Sequence, residues 1–357
     1  MINVSMCMIA RNSDATIRNC LESIKDLVDE IIVVDTGSTD KTKEIAYEYT
    51  DKVYDFEWIN DFSAARNFSY SKATKDYIFL MDDDDVLLEE DRERFRELKE
   101  SLDPAVDSIT MKYNIAFDEY GNVTYSYRQN RMVKRARNFQ WVGIVHEYIA
   151  VSGYIINSDV CITHRKVKFS PSRNLEIYEN KLASGAEFTP RDILYYAHEL
   201  YSHQMYDKAL ENYDKFLKSR LGWYEDCIRV CNNISDYYIS LQRYEDARSY
   251  SYKSFEYDVP RAEACCRLGS AFMQEKKYMQ AIYWYETATK LEKPKDSWGF
   301  FSDDYWTWLP HIQLCVCYDR IGQYKLAKEH NEIAATYKPN HSSVLHNRKY
   351  FEDMKIE

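Results

Sequence analysis

The sequence predicts two domains of different class. Residues 1–165 read as an α/β domain built on a parallel sheet covered on both faces, and residues 192–357 as an all-α array of helical repeats, with a connector over 166–191. Three observations carry this reading. Short, fully apolar runs alternate with helix-patterned stretches through the first half, as strands buried on both faces do. A Tyr-x-x-Ala motif recurs through the second half. The chain's 357 residues are enough for about two domains.

In order, residues 2–9 predict a first strand, and 15–27 a helix with Ile17, Leu21 and Ile24 at helical spacing. EIIVV at 30–34 is a second strand, 39–49 a second helix with Asp40 near its start, and 52–56 a third strand. Residues 64–73 are helical, and YIFLM at 77–81 is a fourth apolar run. Two polar motifs, DTGSTD at 35–40 and DDDD at 82–85, directly follow apolar runs. Open α/β sheets bind ligands beyond the carboxyl ends of their strands, which is where both motifs fall.

The connector holds Pro171, a helical stretch over 175–182 and Pro190. Beyond it, Ala209, Ala247, Ala281 and Ala327, each three residues after a Tyr, lie 38, 34 and 46 residues apart. A period near 34 with small residues at fixed offsets is the tetratricopeptide pattern, in which small residues let paired helices approach and aromatics fill the space between them. The longest step carries an insertion with Trp298, Trp306 and Trp308, read as exposed stacking surface for a partner.

Lys and Arg number 47 and Asp and Glu 58, a formal charge of −11 that argues against a broad nucleic-acid-binding face. Hydrophobic residues make up 45%, which argues against a mostly disordered chain. No apolar run approaches the roughly 18 residues of a membrane span, and the start MINVSMCMIARNSD lacks the pattern of a secretory signal. Nine scattered Cys read as small buried hydrophobes of a reducing cytoplasm, with a structural zinc site as the alternative.

Four constellations bear chemistry. Asp82, Asp83, Asp84 and Asp85 repel one another, and such a cluster at a strand end calls for a hard divalent cation unless it is a solvated acidic loop. Alternation in an extended segment would let Asp82 and Asp84 share one task while Asp83 faces elsewhere. Asp35, at the end of a buried strand before a Gly turn, suits a base N–H or a ribose hydroxyl, while Ser38 to Asp40 cap the next helix. Arg66 in DFSAARN is a charge partner for a diphosphate, or a surface Arg on an amphipathic helix. WVGIVHE at 141–147 and CITH at 161–164 supply His146, Glu147 and His164: a Glu can deprotonate an acceptor, and a His can complete a metal site.

In this order the motifs MIARN (8–12), VDTGSTD (34–40), DFSAARN (61–67), FLMDDDD (79–85), RMV (131–133) and WVGIVHE resemble a family 2 glycosyltransferase of the GT-A (Rossmann-like) fold. With the repeats behind them, the whole chain is similar to the repeat-bearing peptide S-glycosyltransferases of the sublancin type, which modify bacteriocins. The resemblance implies that Ala10 and Arg11 line a uracil pocket, that Asp35 bonds the uridine, and that Arg66 and Asp83 face the donor. Asp82 and Asp84 match the outer acids of the family's Asp-x-Asp motif, which holds Mn²⁺ or Mg²⁺; the middle residue, often Ala, is here Asp83, which leaves the ligand choice open. Glu147 falls where the catalytic base is kept, and His164 near the metal-binding His, with His146 as the second choice. The implied donor is a UDP-sugar, the reaction a metal-dependent inverting transfer, and the acceptor a polypeptide held by the repeats. Open alternatives are a glycan or lipid-linked acceptor, a repeat scaffold beside an inactive catalytic domain, a nucleotidyltransferase, and repeats used for homodimerisation.

Overall fold

The computed structural model describes residues 1–117, 123–165, 172–294, 299 and 301–355, which fall into two compact units, Met1–Asn212 and Tyr213–Glu357.

The first unit opens with β1 (Val4–Ala10), α1 (Ile17–Ile24), β2 (Glu30–Asp35), α2 (Thr42–Tyr47), β3 (Val53–Asp55), α3 (Phe62–Ser71) and β4 (Tyr77–Leu80). The alternation expected from the apolar runs is present, with α1 and α2 trimmed by a few residues at their ends and α3 set two residues earlier than expected. β1 pairs in parallel with β2 and β4, and β2 with β3. Then follow β5 (Asp85–Val86), α4 (Glu89–Ser101), β6 (Ser108–Phe117), β7 (Val123–Lys134), β8 (Trp141–Val142), β9 (Tyr148–Ile149) and β10 (Ile155–His164).

The sheet is not all parallel. Its order is β3-β2-β1-β4-β7-β6-β10-β5, and β7 runs antiparallel to both β4 and β6. β6 and β10 are parallel, and β5 joins β10 antiparallel, pairing Asp85 with His164. A separate two-stranded ribbon, β8-β9, carries the chain through 141–149. One face of the sheet packs Met6, Met8 and Phe79 against Ile17, Leu21, Ile45 and Phe95 of α1, α2 and α4. The other packs Cys7, Ile32 and Leu80 against Tyr70 of α3, Trp141 and Ile149. Alternate side chains of one strand thus serve opposite cores, which is why these strands are apolar over most of their length. The unit also holds α5 (Arg173–Ala183) and α6 (Pro190–Ser202), and Phe188 between them packs edge to face on Tyr178 of α5 and Tyr196 of α6. Thr189 and Asp192 form a capping box at the start of α6, and Pro190 occupies its first turn.

The second unit begins within α7 (Tyr206–Ser219). It continues with α8 (Tyr224–Ser240), α9 (Tyr244–Lys253), α10 (Ala262–Gln274), α11 (Tyr278–Lys290), α12 (Trp308–Arg320), α13 (Tyr324–Tyr337) and α14 (Ser342–Asp353). Each Tyr of the recurring motif is the first residue of a helix, α7, α9, α11 and α13, and each of its Ala residues is fully buried. The motif therefore marks the second helix of each pair, entering where its partner comes nearest. Gly269 shows how near: a Cβ there would lie 2.8 Å from the Tyr285 ring. The aromatic reading of the insertion needs correction. Trp308 is 9% exposed and packs with Ile312, Ala334 and Val344, while Trp306 lies against the core of α10 to α13. Trp308 is an interior residue and Trp306 is half-buried against that core; Trp298 lies outside the described residues. All nine Cys are free and eight are buried. Among the described residues, no helix is long and apolar enough to cross a membrane.

Candidate active site

Because β1 pairs in parallel with both neighbours, the carboxyl ends of β1, β2 and β4 lie side by side, with Ala10 opposite Asp35 in the register. Ala10 is buried, and its carbonyl accepts from Thr36 N at 3.0 Å, closing the β1 and β2 ends together. Asp35 is also buried. Its Oδ2 accepts from Gly37 N at 3.1 Å and Ser38 N at 2.9 Å, which shapes the turn, and its Oδ1 has no hydrogen-bond partner. Gly37 takes a φ of +98°, which Gly reaches without steric cost. The expected capping divides differently from the sequence reading. Asp40 accepts from Thr42 N at 3.0 Å, at the start of α2. Ser38 instead accepts from Asn12 N at 2.9 Å, and Thr39 N donates to Asn12 Oδ1 at 2.7 Å, so these two tie the loop after β2 to the loop after β1.

The four acids after β4 diverge, each with its own partners. Asp82 accepts from Arg66 Nη2 at 2.8 Å and Arg131 Nη1 at 3.4 Å, and these two cations outweigh its burial, so its carboxyl is held well below the usual range. Asp83 accepts from the Ser13 hydroxyl and from Arg11 N at 3.4 Å. Burial and the charges of Asp84 and Asp82 still push Asp83 up to about 6. Arg11 itself is exposed. Asp84 Oδ1 lies 3.2 Å from His164 Nδ1, and its carbonyl accepts from Arg165 N at 2.7 Å. Asp85 is fully buried, 3.1 Å from His164 Nδ1, and accepts from Tyr113 OH at 2.8 Å and Arg131 Nη1 at 3.2 Å. Burial raises the Asp85 carboxyl. Burial opposes the His164 charge, but the hydrogen bonds to Asp84 and Asp85 prevail and raise that imidazole to about 10.

Asp84, Asp85 and His164 each offer a ligand atom within 4.8 Å of the others. Two carboxylates and an imidazole form a donor set that suits Mn²⁺ or Mg²⁺ with positions left for donor oxygens. The geometry brings together Asp84 and His164 of the expected ligands and adds Asp85, while Asp82 sits between two guanidinium groups. His146 is not part of this group. It lies at a φ of +53°, stacks on Tyr195 with ring centroids 4.5 Å apart, and holds Glu199 Oε1 at 2.9 Å from Nε2.

Arg66, in the first turns of α3, links the parts. Its Nε donates to Glu147 Oε1 at 2.6 Å and its Nη2 to Asp82, while its guanidinium lies 5.1 Å from the Trp141 ring and its Nη1 has no partner. Asp61 caps α3 by accepting from Ala64 N at 3.0 Å, which fixes the register that aims Arg66. Sequence reasoning missed Asp85, Tyr113, Arg131 and Glu199. Arg131 stood inside a quoted motif and Asp85 inside the acidic run, whereas nothing local marks Tyr113 or Glu199.

The second unit holds a cleft of about 820 Å³ lined by Asp214, Arg220, Tyr224, Tyr250, Lys253 and Tyr257 among others. Its size falls within the usual range for ligand sites, about 300–1,000 Å³. Tyr250 OH donates to Asp214 at 2.9 Å inside it.

Residues 5–158 match the family described as Glycosyl transferase family 2, and residues 228–258 and 262–294 match the tetratricopeptide repeat. The chain is 37% identical over 149 residues to a TPR repeat-containing protein of Synechococcus elongatus, covering 42% of this chain and 36% of that one. It is 27% identical over 268 residues to the SPbeta prophage-derived glycosyltransferase SunS of Bacillus subtilis, covering 69% of this chain and 62% of SunS. It is 36% identical over 90 residues to an uncharacterized glycosyltransferase of Rickettsia felis, covering 25% of this chain and 31% of that one. The chain thus spans less than two thirds of the length of each of these relatives.

Proposed function

We propose, on the premise that a family 2 glycosyltransferase domain stands before tetratricopeptide repeats in this chain, that the protein is a metal-dependent inverting glycosyltransferase. Its donor is a UDP-sugar and its acceptor a polypeptide. The observation that carries this reading is the joining of Glu147, Arg66 and Asp82 at the carboxyl edge of the sheet, beside the Asp84, Asp85 and His164 group.

The residues divide the work as follows. Asp35 offers its unpartnered, buried Oδ1 to a uracil N–H or a ribose hydroxyl. Ala10 and Arg11 flank the base, and the Nη1–H of Arg66 is available to a diphosphate oxygen. Asp84, Asp85 and His164 would hold Mn²⁺ or Mg²⁺, which would offset charge on the departing diphosphate. Glu147 takes the acceptor's proton as the acceptor atom bonds the anomeric carbon, and the bond from that carbon to the phosphate oxygen breaks on the opposite face with UDP leaving. One displacement of this kind inverts the anomeric configuration. Arg66 keeps the Glu147 carboxylate aimed while binding Asp82 at its other end.

The repeats supply the acceptor site. Stacked helix pairs present an extended surface suited to a peptide, and the cleft between Asp214 and Tyr257 combines aromatic rings with charges of both signs. Homodimerisation through the repeats would leave acceptor affinity unchanged. The place of action is the cytoplasm, in keeping with nine free thiols.

The deciding experiment is UDP release from a panel of nucleotide sugars, with and without EDTA, followed by mass spectrometry of a candidate peptide. Metal-dependent release from a UDP-sugar supports the reading. Equal release with EDTA sinks the metal role, and release confined to another nucleotide sinks the uridine role.

A further inference from the structure

The loop from Gly143 to Glu147 is held from two sides. Four consecutive carbonyls each have a donor. Gly143 O accepts from the Ser63 hydroxyl, and Ile144 O from Phe62 N at 2.9 Å, both at the start of α3. Val145 O accepts from Tyr178 OH at 3.3 Å on α5, and His146 O from Arg191 Nη2 at 2.8 Å on α6. The loop needs such fixing. Gly143 and His146 both lie in the left-handed region, at φ of +102° and +53°, and a non-Gly residue there carries a steric cost that neighbouring contacts must offset.

His146 carries a second set of ties to α6. Its ring stacks on Tyr195, and its Nε2 lies 2.9 Å from Glu199, whose Oε1 also accepts from Asn174 Nδ2 at 3.1 Å. Arg191 in turn lies 4.6 Å from both the Tyr148 and the Tyr195 rings, clasping the residues on either side of Glu147. Glu147 itself receives only Arg66 in this network.

We propose that Glu199 and Arg191 on α6 are positioning residues for Glu147. The helix pair α5 and α6, which in sequence stands at the threshold of the repeats, then serves as a structural part of the catalytic machinery. The proposal rests on reading Glu147 as the base. Misplacing a reacting group by about 1 Å can cost on the order of 100-fold in rate, so a helix outside the sheet can govern turnover without touching the substrate.

The test uses the full chain with Glu199→Ala, Glu199→Gln and Arg191→Ala. Hydrogen exchange of residues 143–149 reads the loop directly, and kcat and KM for UDP release from UDP-glucose or another hydrolysed UDP-sugar read its consequence. We expect Glu199→Ala and Arg191→Ala to speed exchange in 143–149 by about tenfold or more while β1 and β4 stay protected. In both, kcat should fall by roughly 10- to 100-fold with donor KM within about twofold. Glu199→Gln keeps an acceptor oxygen for Asn174 and His146, and should recover most of the activity. Unchanged exchange in 143–149 overturns the proposal, as does loss of protection across β4 as well, which would mark a fold residue. Should the wild type release no UDP from any sugar, the reading of Glu147 fails, while the exchange data still decide whether α6 holds the loop.

Discussion

Arg66 reaches Glu147 through Nε, at 2.6 Å, while its far nitrogen holds Asp82 at 2.8 Å, so one guanidinium spans two carboxylates 65 residues apart in sequence. A Lys ammonium is a point charge and cannot make this two-ended bridge. Arg66→Lys should therefore lower the kcat of UDP release by on the order of 100-fold, with a melting temperature close to wild type. Steady-state kinetics with a UDP-sugar, beside thermal unfolding, checks both halves.

Neighbouring acids should fail in different ways. Asp84 is partly exposed, so Asp84→Ala should abolish metal-dependent turnover and leave the fold intact. Asp85 is fully buried between Tyr113 and Arg131. Asp85→Ala leaves Arg131 short of a partner in the interior, at a cost of about 3 kcal/mol or more. Urea denaturation of the two variants, with Mn²⁺ binding by calorimetry, should separate them; equal stability of the two would contradict the assignment.

Gly269→Ala should destabilise the second unit. Helix propensity favours Ala by about 1 kcal/mol. The new Cβ, however, meets the Tyr285 ring at 2.8 Å, and that ring is 2% exposed and has nowhere to move. Overpacking of this kind costs roughly 1–3 kcal/mol, so the net effect is a loss, measurable as a lower urea midpoint.

His311 and His330 face each other with Nδ1 atoms 2.9 Å apart on α12 and α13, and His330 stacks on Tyr318. Burial and the neighbouring His lower His311 to about 4. The unfolded chain, with a His pKa near 6.5, then takes up protons first as pH falls. The pair's stability is present above that value and is lost between about 6.5 and about 4. Relative to His311→Asn, the wild type should lose roughly 1–2 kcal/mol between pH 7 and pH 5. Parallel denaturation curves for the two proteins would contradict this.

Ending the chain after Asn212 keeps the first compact unit, and ending it after Gly185 also removes α6. The longer fragment should release UDP near the wild-type rate but glycosylate a peptide acceptor with a raised KM. The shorter one should lose turnover as well. Efficient acceptor modification by the longer fragment would assign the repeats another use.

What could be read beforehand tracks how local each signal was. β1, β2 and β4 are apolar over most of their length because both their faces are covered, and the four Tyr-x-x-Ala motifs fall on helix starts because Ala is needed at the closest approach. β6 and β7 were not legible: they bury only part of their lengths, and shifts of register at 109–110 and 114–117 disturb the alternation. The acidic run was visible, yet four consecutive side chains on a turn point to different partners, and Arg66, Arg131, Tyr113 and His164, brought in from other elements, tell Asp82, Asp84 and Asp85 apart. The aromatic count of the insertion could not distinguish Trp308 in a core from Trp308 on a surface.

The β5-β10 ladder sets Asp85 beside His164, partners 79 residues apart that meet at an edge of the sheet. Closing so long a stretch of chain is slow beside local helix formation, because its entropy must be spent before the contact exists. The Asp84, Asp85 and His164 group is thus a late product of folding. No nascent chain that stops short of His164 can assemble it, and cation binding by the group, as proposed above, would report that the sheet has closed at its last strand.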